Sequence, residues 1–545
     1  MILLLLSTLL LLPALMGLGK TVSFFGKHLE GISGKIISGI LGVSLAWAII
    51  SFFIPLNIYI ELTTLTLGFL FFFKEKLYLD FYTFTKNEYL LLAAGSLIIL
   101  FCGSFYPYIL DHFGYYVPTI KWLTEFGLIK GISNLDFTLG QMSLWHIFQA
   151  GFSNFSDPFL RINSIILIVY ILYIIENKVW IHLCFIPVLL LFSQSPSPDL
   201  PVITFSLIIL KEILKENKNT TFLFAFSVFV FAIKPTMIWL PVLSFLYSVL
   251  IIKSNVKKLM PGILIILLFC IKNIYTFGYP VFPVAIGDVG VTWKPNPEVL
   301  KISSQYAIQK TYDMQYSYRE IQAFSFFDYI KNWLFLNGIK SKINILFIIS
   351  LLIFIIFTCV KRNKVISLIC FSVVIKSILV LLFSAQYRFF IDVFFVIFFV
   401  IFINYFNQKK SFAVFYFLSI IFIGTLTFPN VLQTYLPSFK LGNFMGKFEV
   451  KQLYRPSTYD YGRFNSYQVG NLKFNISEKY PYNFDTPLPA ISEGYFFDDA
   501  KAGIFPQLIN EKNIRQGFHW KKSDIKEKKQ VEYIMHYINN SYKQK

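Results

Sequence analysis

Long apolar runs separated by short polar connections dominate the first 428 residues of the chain. A helix that crosses a bilayer needs about 20 mostly apolar residues. Measured against that length, the pattern predicts about fourteen membrane spans between Ile2 and Phe428, several of them short. The first run, Ile2 to Gly19, lacks a basic segment before it, so it is expected to be a span and not a cleaved signal. We therefore predict an all-α polytopic membrane domain over residues 1–428.

The remainder, residues 429–545, has a different composition. It is polar and rich in tyrosine, and Pro and Gly interrupt it at short intervals. This pattern is typical of short strands and turns, and the last 25 or so residues are charged and helix-like. We predict a small C-terminal domain of mixed α/β character.

Two long polar segments, residues 107–160 and 277–342, interrupt the apolar pattern. The first contains two short amphipathic stretches, from Pro118 to Leu128 and from Met142 to Phe152. Both are too short to span, and their Trp and Phe residues suit a membrane surface. They are expected to be juxtamembrane helices within the first large external loop.

Composition supports the membrane class, since 56% of the residues are hydrophobic, 14% are charged and the mean hydropathy is +0.60. The net charge of +19 comes from basic clusters that occupy every second connection, which the positive-inside rule places in the cytoplasm. Nucleic acid is therefore not an expected partner. The other connections, the N-terminus and the C-terminal domain are predicted on the external face of the membrane. The five cysteines lie within or beside apolar runs, so neither disulfides nor cysteine metal sites are expected.

Asp111 is the most informative single residue, because it follows a long apolar run directly. A carboxylate at the mouth of a helical membrane bundle is costly unless it is paired or used. It could serve chemistry, or it could simply cap the next segment or pair with Lys121.

Several short motifs resemble the GT-C superfamily of glycosyltransferases that use polyprenyl-phosphate sugars, and more closely a group of bacterial membrane proteins of that architecture. They are Asp111-x3-Tyr115-Tyr116-x-Pro118, Trp122, Gly127-Leu128, Gly131-x2-Asn134, Ser143-x-Trp145, Ser197-Pro198-Asp199, Gly278-Tyr279-Pro280-x2-Pro283, Trp293-Lys294 and Arg388-Phe389. The resemblance implies a GT-C-like fold in which Asp111 accepts the proton of the acceptor hydroxyl, or orients it, as the lipid phosphate leaves. Many such enzymes have two adjacent acids where this chain has Asp111-His112, which leaves metal dependence open.

The chemistry of such a transfer needs a base at the attacking hydroxyl and cations at the departing phosphate. Asp111 is the candidate base. The candidate substrate-binding residues are the cations Arg388, Lys234, Lys121 and Lys294, the aromatic residues Tyr115, Tyr116, Trp122 and Trp293, and the polar residues His112 and Asp199. The segment with Trp293 and Lys294 could also form part of a lid.

Several of these residues could instead have purely structural roles. Arg388 could form an i,i+4 ion pair with Asp392, Lys234 could reach for the membrane surface, and Asp199 could cap a helix. Lys376 lies within a predicted span and must find a partner there. Asp111, His112 and His146 are too unspecifically spaced to predict a metal site, so neither a metal nor another cofactor is expected.

The sequence thus favours a membrane glycosyltransferase. Its expected partners are a polyprenyl-phosphate-linked sugar, a cell-envelope glycan or lipid acceptor, and membrane lipids. A flippase or exporter of lipid-linked glycans and an O-antigen polymerase or ligase are the alternatives.

Overall fold

The computed structural model describes residues 1–22, 29–435, 446–459, 462–478 and 482–543, and it is mostly helical. Helices form along the apolar runs because a segment shielded from water must satisfy its backbone hydrogen bonds internally. Up to the second long polar segment, the helices are α1 Ile2–Thr21, α2 Gly31–Ile50, α3 Ile58–Lys74, α4 Lys86–Gly103, α5 Val117–Glu125, α6 Leu144–Gly151, α7 Ile162–Asn177, α8 Ile186–Leu189, α9 Asp199–Leu214, α10 Thr220–Ile233, α11 Trp239–Leu246 and α12 Met260–Phe277.

The rest of the chain adds a second set of helices and two small sheets. The helices are α13 Pro297–Thr311, α14 Tyr318–Gln322, α15 Phe326–Leu334, α16 Ile339–Lys361, α17 Lys364–Phe383, α18 Ile391–Phe402, α19 Gln408–Thr427, α20 Pro429–Tyr435, α21 Glu493–Lys501 and α22 Ile525–Lys543. Strands β1 Phe464–Val469 and β2 Leu472–Ser477 form one antiparallel pair, and β3 Ile504–Leu508 and β4 Phe518–Lys522 form another. The mixed α/β character predicted after residue 428 is confirmed.

Within the described residues, seven helices are long and apolar enough to cross a membrane: α1, α2, α4, α12 with the turn before it, α16, α17 and α19. The predicted count of about fourteen spans is not confirmed. The other apolar runs form helices below spanning length, as in α7, where every residue from Ile162 to Ile175 is buried. Apolarity alone cannot separate a helix packed inside the bundle from a helix that faces lipid.

Glycines allow α1, α2 and α3 to pack with their backbones in close approach, as small residues do between membrane helices. A Cβ atom added at Gly19 would lie 1.7 Å from the carbonyl oxygen of Lys35, and one at Gly39 would lie 2.0 Å from that of Leu15. On the other side of α1, a Cβ at Gly17 would lie 2.0 Å from the carbonyl oxygen of Gly68. These contacts leave no room for a side chain.

Helices α5 and α6 are present in the first polar segment, but they do not lie on a surface as predicted. All eight residues of α6 are buried, including Trp145 and His146. In α5 the apolar residues Trp122 and Leu123 are buried, whereas Glu125 at its end is exposed. Glu61, buried in α3, fixes the end of this region by accepting hydrogen bonds from the backbone N–H groups of residues 154–156.

The C-terminal domain docks on the first polar segment. Buried Arg161 donates to the carbonyl oxygens of Gly103 at 2.9 Å and Ser457 at 2.8 Å, joining the end of α4 to the tail. Asp136 accepts hydrogen bonds from Asn483 Nδ2 at 2.9 Å and Ser492 Oγ at 2.7 Å. The start of α1 also meets this domain, since the N–H of Leu3 donates to the carbonyl of Tyr454 at 3.1 Å.

Substituting Gly39→Val should destabilise the folded protein by about 1–3 kcal/mol, because the new side chain meets the backbone of α1. A matched control is Gly424→Val in α19, where an added Cβ has no neighbour within 4 Å. Thermal unfolding in detergent should show a lower midpoint for the first variant alone. Equal midpoints for the two variants would contradict the close packing of α1 on α2.

Candidate functional site

Asp111 and Arg388 form the centre of the candidate site, although 277 positions separate them. Asp111 begins the π-helical turn His112–Tyr116 in the loop after α4, and Arg388 lies in the turn between α17 and α18. Arg388 Nη1 donates to Asp111 Oδ2 at 3.2 Å, and the side chains are 37% and 35% exposed respectively. Asp111 therefore pairs with Arg388 and not with Lys121, and the pair is mostly covered by protein and only partly exposed to water.

A second acid–base pair touches the first. Asp199, the first residue of α9, is ion-paired with Lys234, which follows α10 directly. Lys234 Nζ also donates to the backbone carbonyl of Arg388 at 3.1 Å, and Ser197 Oγ donates to Asp199 Oδ2 at 3.1 Å. Lys234 thus points into the protein instead of toward a membrane surface, and Asp199 is an ion-pair partner instead of the cap residue of α9.

A third pair lies deeper, between Lys376 in α17 and Asp392 in α18. Their side chains are 1% and 5% exposed, and Trp239 Nε1 donates to Asp392 Oδ2 at 3.2 Å. The i,i+4 pair expected between Arg388 and Asp392 is therefore wrong, since each residue has a different partner. The pair also gives Lys376 the partner that its position requires.

Burial raises the pKa of the Asp111 carboxyl, and the neighbouring Asp199 raises it further. Arg388, Lys310 and Lys234 act in the opposite direction, but they do not cancel the effect of burial. A raised pKa makes this carboxylate a stronger base than an ordinary aspartate.

Aromatic residues of the same turn form one wall of the site. Tyr115 and Tyr116 are buried with ring centroids 4.6 Å apart, and Tyr116 OH reaches Ser197 Oγ at 3.5 Å. Burial raises the pKa of both phenols, and the charge of Asp111 raises both further. They remain protonated and can donate hydrogen bonds.

His112 is adjacent to Asp111 in sequence but turns away from it. Its Nδ1 lies 2.9 Å from Ser195 Oγ, and burial, followed by the charge of Arg161, lowers its pKa. The imidazole is therefore neutral and has a structural partner. Among the described residues, no group of three or more His, Cys, Asp or Glu side chains stands close enough to hold a metal ion.

Sequence reasoning missed Lys310 in α13. Burial and the charge of Arg388 lower its pKa, whereas the charge of Asp111 raises it, so Lys310 lies within electrostatic range of the central pair. Within the described parts of the chain, its ammonium makes no ion pair and no hydrogen bond. Nothing in the sequence distinguishes it from Lys301 on the same helix, because only the docking of α13 selects one of them.

Tyr482 was missed as well. It lies beside the turn of Asp111, since a Cβ added at Gly114 would be 3.9 Å from Tyr482 Cδ1. Burial and the charge of Asp111 raise the pKa of Tyr482. The C-terminal domain therefore contributes a phenol to the surroundings of Asp111.

Lys121 and Trp122, two further predicted site residues, hold the C-terminal domain instead. Lys121 Nζ donates to the carbonyls of Asp485 at 2.8 Å and Thr486 at 3.3 Å. Trp122 is fully buried, with its ring centroid 5.8 Å from that of Phe518. Both stabilise the interface between the first polar segment and the tail.

Trp293 and Lys294 also lie apart from the central pair. Trp293 Nε1 donates to the carbonyl of Ile274 at 3.2 Å, at the end of α12. Lys294 is ion-paired with Asp288 at 2.5 Å, and its carbonyl accepts from Trp520 Nε1 at 3.1 Å. This segment fastens the C-terminal domain to α12, and its predicted role as a lid over the cavity remains a prediction.

Comparison with known families adds one finding. A family model described as "Domain of unknown function (DUF8201)" matches residues 1–395, so the chain belongs to this family. No curated protein and no solved structure matches the chain. The matched range contains all three acid–base pairs and Lys310, and it ends before the C-terminal domain.

Replacing Lys376 with Met should cost about 3–5 kcal/mol of stability, because it leaves the Asp392 carboxylate buried without its partner. The double variant Lys376→Met/Asp392→Leu should recover part of that loss, since both charges are then removed. Unfolding midpoints in detergent measure both effects. An unchanged midpoint for the single variant would show that the pair is not buried as described.

Proposed function

We propose that this member of the DUF8201 family is a membrane glycosyltransferase. It transfers a sugar from a polyprenyl-phosphate-linked donor to a hydroxyl of a cell-envelope glycan or lipid, on the external face of the bacterial inner membrane. The observation that supports this most is the partly exposed Asp111–Arg388 pair, with Lys234 bonded to the backbone carbonyl of Arg388 and Lys310 within electrostatic range of the pair. The motifs that resemble the GT-C superfamily contain Asp111, Asp199 and Arg388, and so agree with the proposal.

The proposed reaction is a direct displacement at the anomeric carbon. The acceptor oxygen forms a bond to that carbon while the bond from carbon to the phosphate oxygen breaks, and Asp111 takes the proton of the acceptor hydroxyl. The bonding electrons leave with the lipid phosphate, whose added negative charge is stabilised by the cations. A single displacement of this kind inverts the configuration at the anomeric carbon.

The three cations offer the phosphate different kinds of contact. Arg388 can bind two phosphate oxygens with its planar guanidinium, whereas the lysines act as compact point charges. Lys234 is held in place by Asp199 and by the Arg388 carbonyl, so little reorganisation is needed when charge develops. Lys310, which has no ion-pair or hydrogen-bond partner among the described residues, adds a third positive charge within electrostatic range of Asp111.

The proposed orientation rests on contacts as well as on charge placement. The start of α1 meets the tail at Tyr454, and the end of α4 meets it where the N–H of Ser457 donates to the carbonyl of Ser104 at 2.9 Å. Those two helix ends and the C-terminal domain therefore share one side of the bundle. The basic clusters of the alternate connections favour the opposite side as cytoplasmic.

Transport of lipid-linked glycans is the second candidate, and the buried Lys376–Asp392 pair is the observation that favours it. Charges inside membrane helices often mark transport pathways. Here, however, the pair is enclosed and satisfied by Trp239. Translocation of a lipid-linked sugar across vesicles, without formation of a glycosidic bond, would replace the transfer proposal.

Asp111→Asn should lower the transfer rate by about 10²–10⁴-fold, because the amide cannot accept the proton. The wild-type transfer rate should fall as the pH drops through the raised pKa of Asp111, because the protonated carboxyl cannot act as a base. This loss of rate at acidic pH should be absent in the variant. Product formation from a polyprenyl-phosphate sugar, with unfolding midpoints as a check of folding, measures both. Asp288→Asn, in an exposed turn, is the control, and wild-type activity in Asp111→Asn would refute the role of this residue.

Lys310→Met should lower kcat/KM for the donor by about 10-fold or more, because it removes one of the cations proposed for the phosphate. Lys301→Met is a matched control on the same helix, since the Lys301 ammonium meets only Glu298 at 3.9 Å among the described residues. Steady-state kinetics at varied donor concentration gives kcat/KM for each variant. Equal kinetics would exclude Lys310 from the donor site.

A further inference from the structure

The C-terminal domain contains a groove that none of the chemistry above uses. It lies between the edge strand β1 and the helix α22, and its cavity volume is about 470 Å³. This is within the range of about 300–1,000 Å³ typical of small-molecule sites. Its lining residues are Ser466, Tyr467, Gln468, Lys526, Lys529, Gln530, Tyr533 and Ile534.

The α22 side of the groove carries positive charge. Lys526, Lys529, Gln530 and Tyr533 recur at spacings of three and four, so they form one stripe along the helix. Both lysines are exposed, and in the described part of the structure neither has a carboxylate within ion-pair distance. The helix turns its apolar residues Val531 and Ile534 into the domain, which fixes the direction of the stripe.

The other groups suit a ligand with hydroxyls and apolar ring faces. Tyr467 is held by Phe474 and Tyr537, with ring centroids 6.0 and 6.3 Å away, whereas Tyr533 is 71% exposed. Gln468 and Gln530 add amide groups that both donate and accept hydrogen bonds. Rings of this kind pack against the C–H faces of sugars, and amides bond to sugar hydroxyls.

We infer that this groove binds an acidic oligosaccharide. The lysine stripe selects for carboxylate or phosphate groups on the glycan, and the tyrosines and amides select for sugar rings. We assign the bound glycan as the acceptor of the transfer reaction. This assignment rests on the proposed transferase function. The C-terminal domain that carries the groove also reaches the turn of Asp111, since the N–H of Phe484 donates to the carbonyl of Phe113 at 3.1 Å.

The test is a binding titration with the full chain in detergent. The probes are a galacturonic acid pentasaccharide and its neutral counterpart, the galactose pentasaccharide of the same linkage. The wild type should bind the acidic probe at least 10-fold more tightly, and Lys526→Gln/Lys529→Gln should lose that preference. Tyr533→Ala should weaken binding of both probes. Lys522→Gln/Lys528→Gln, which removes the same charge from exposed positions outside the groove, should bind as the wild type does.

Three results would overturn the inference: no binding of the acidic probe, equal binding of both probes, or equal losses in the two double-lysine variants. Binding of phosphatidylglycerol vesicles through the same lysines, without binding of the pentasaccharide, would also overturn it. Asp111→Asn separates this inference from the proposed function, because it should retain pentasaccharide binding while losing transfer. If the wild type binds the acidic pentasaccharide but forms no glycosidic bond, the transferase proposal is refuted. The inference that the groove binds an acidic glycan is then still supported.

Discussion

A charge that leaves bulk water must be neutralised, and this requirement organises the centre of the protein. The three pairs, Asp111–Arg388, Asp199–Lys234 and Lys376–Asp392, join residues that are 277, 35 and 16 positions apart along the chain. The first pair is partly exposed, the second is mostly buried, and the third is enclosed between α17 and α18. The innermost pair, which also accepts a hydrogen bond from Trp239, holds together the two helices that carry it.

Polar contacts also decide where the C-terminal domain sits. Arg161, Asp136 and Lys121 each connect the first polar segment to the tail through side-chain hydrogen bonds. These residues lie near Asp111 in sequence and not in the tail itself. The segment that supplies the candidate base therefore also supplies the docking surface for the domain that carries Tyr482, so both are positioned by one scaffold.

The sequence predicted the helical membrane class, the change of character after residue 428, and the mixed α/β nature of the tail, because apolar periodicity and composition report on these directly. It also selected Asp111, Arg388, Lys234 and Asp199, since charged residues at the ends of apolar runs are conspicuous. The sequence does not reveal which side chains docking brings together: Trp122 and Lys121 contact the tail, and Lys310 resembles any other exposed lysine. The predicted number of spans is not confirmed, because a buried helix such as α7 is as apolar as one that faces lipid.

Arg388 takes part in the two outer pairs with different atoms, offering its guanidinium to Asp111 and its backbone carbonyl to Lys234. Because both contacts belong to one residue of a short turn, the position of that turn between α17 and α18 sets the geometry of both outer pairs at once. A displacement of the turn would therefore disturb the partners of Asp111 and of Asp199 together.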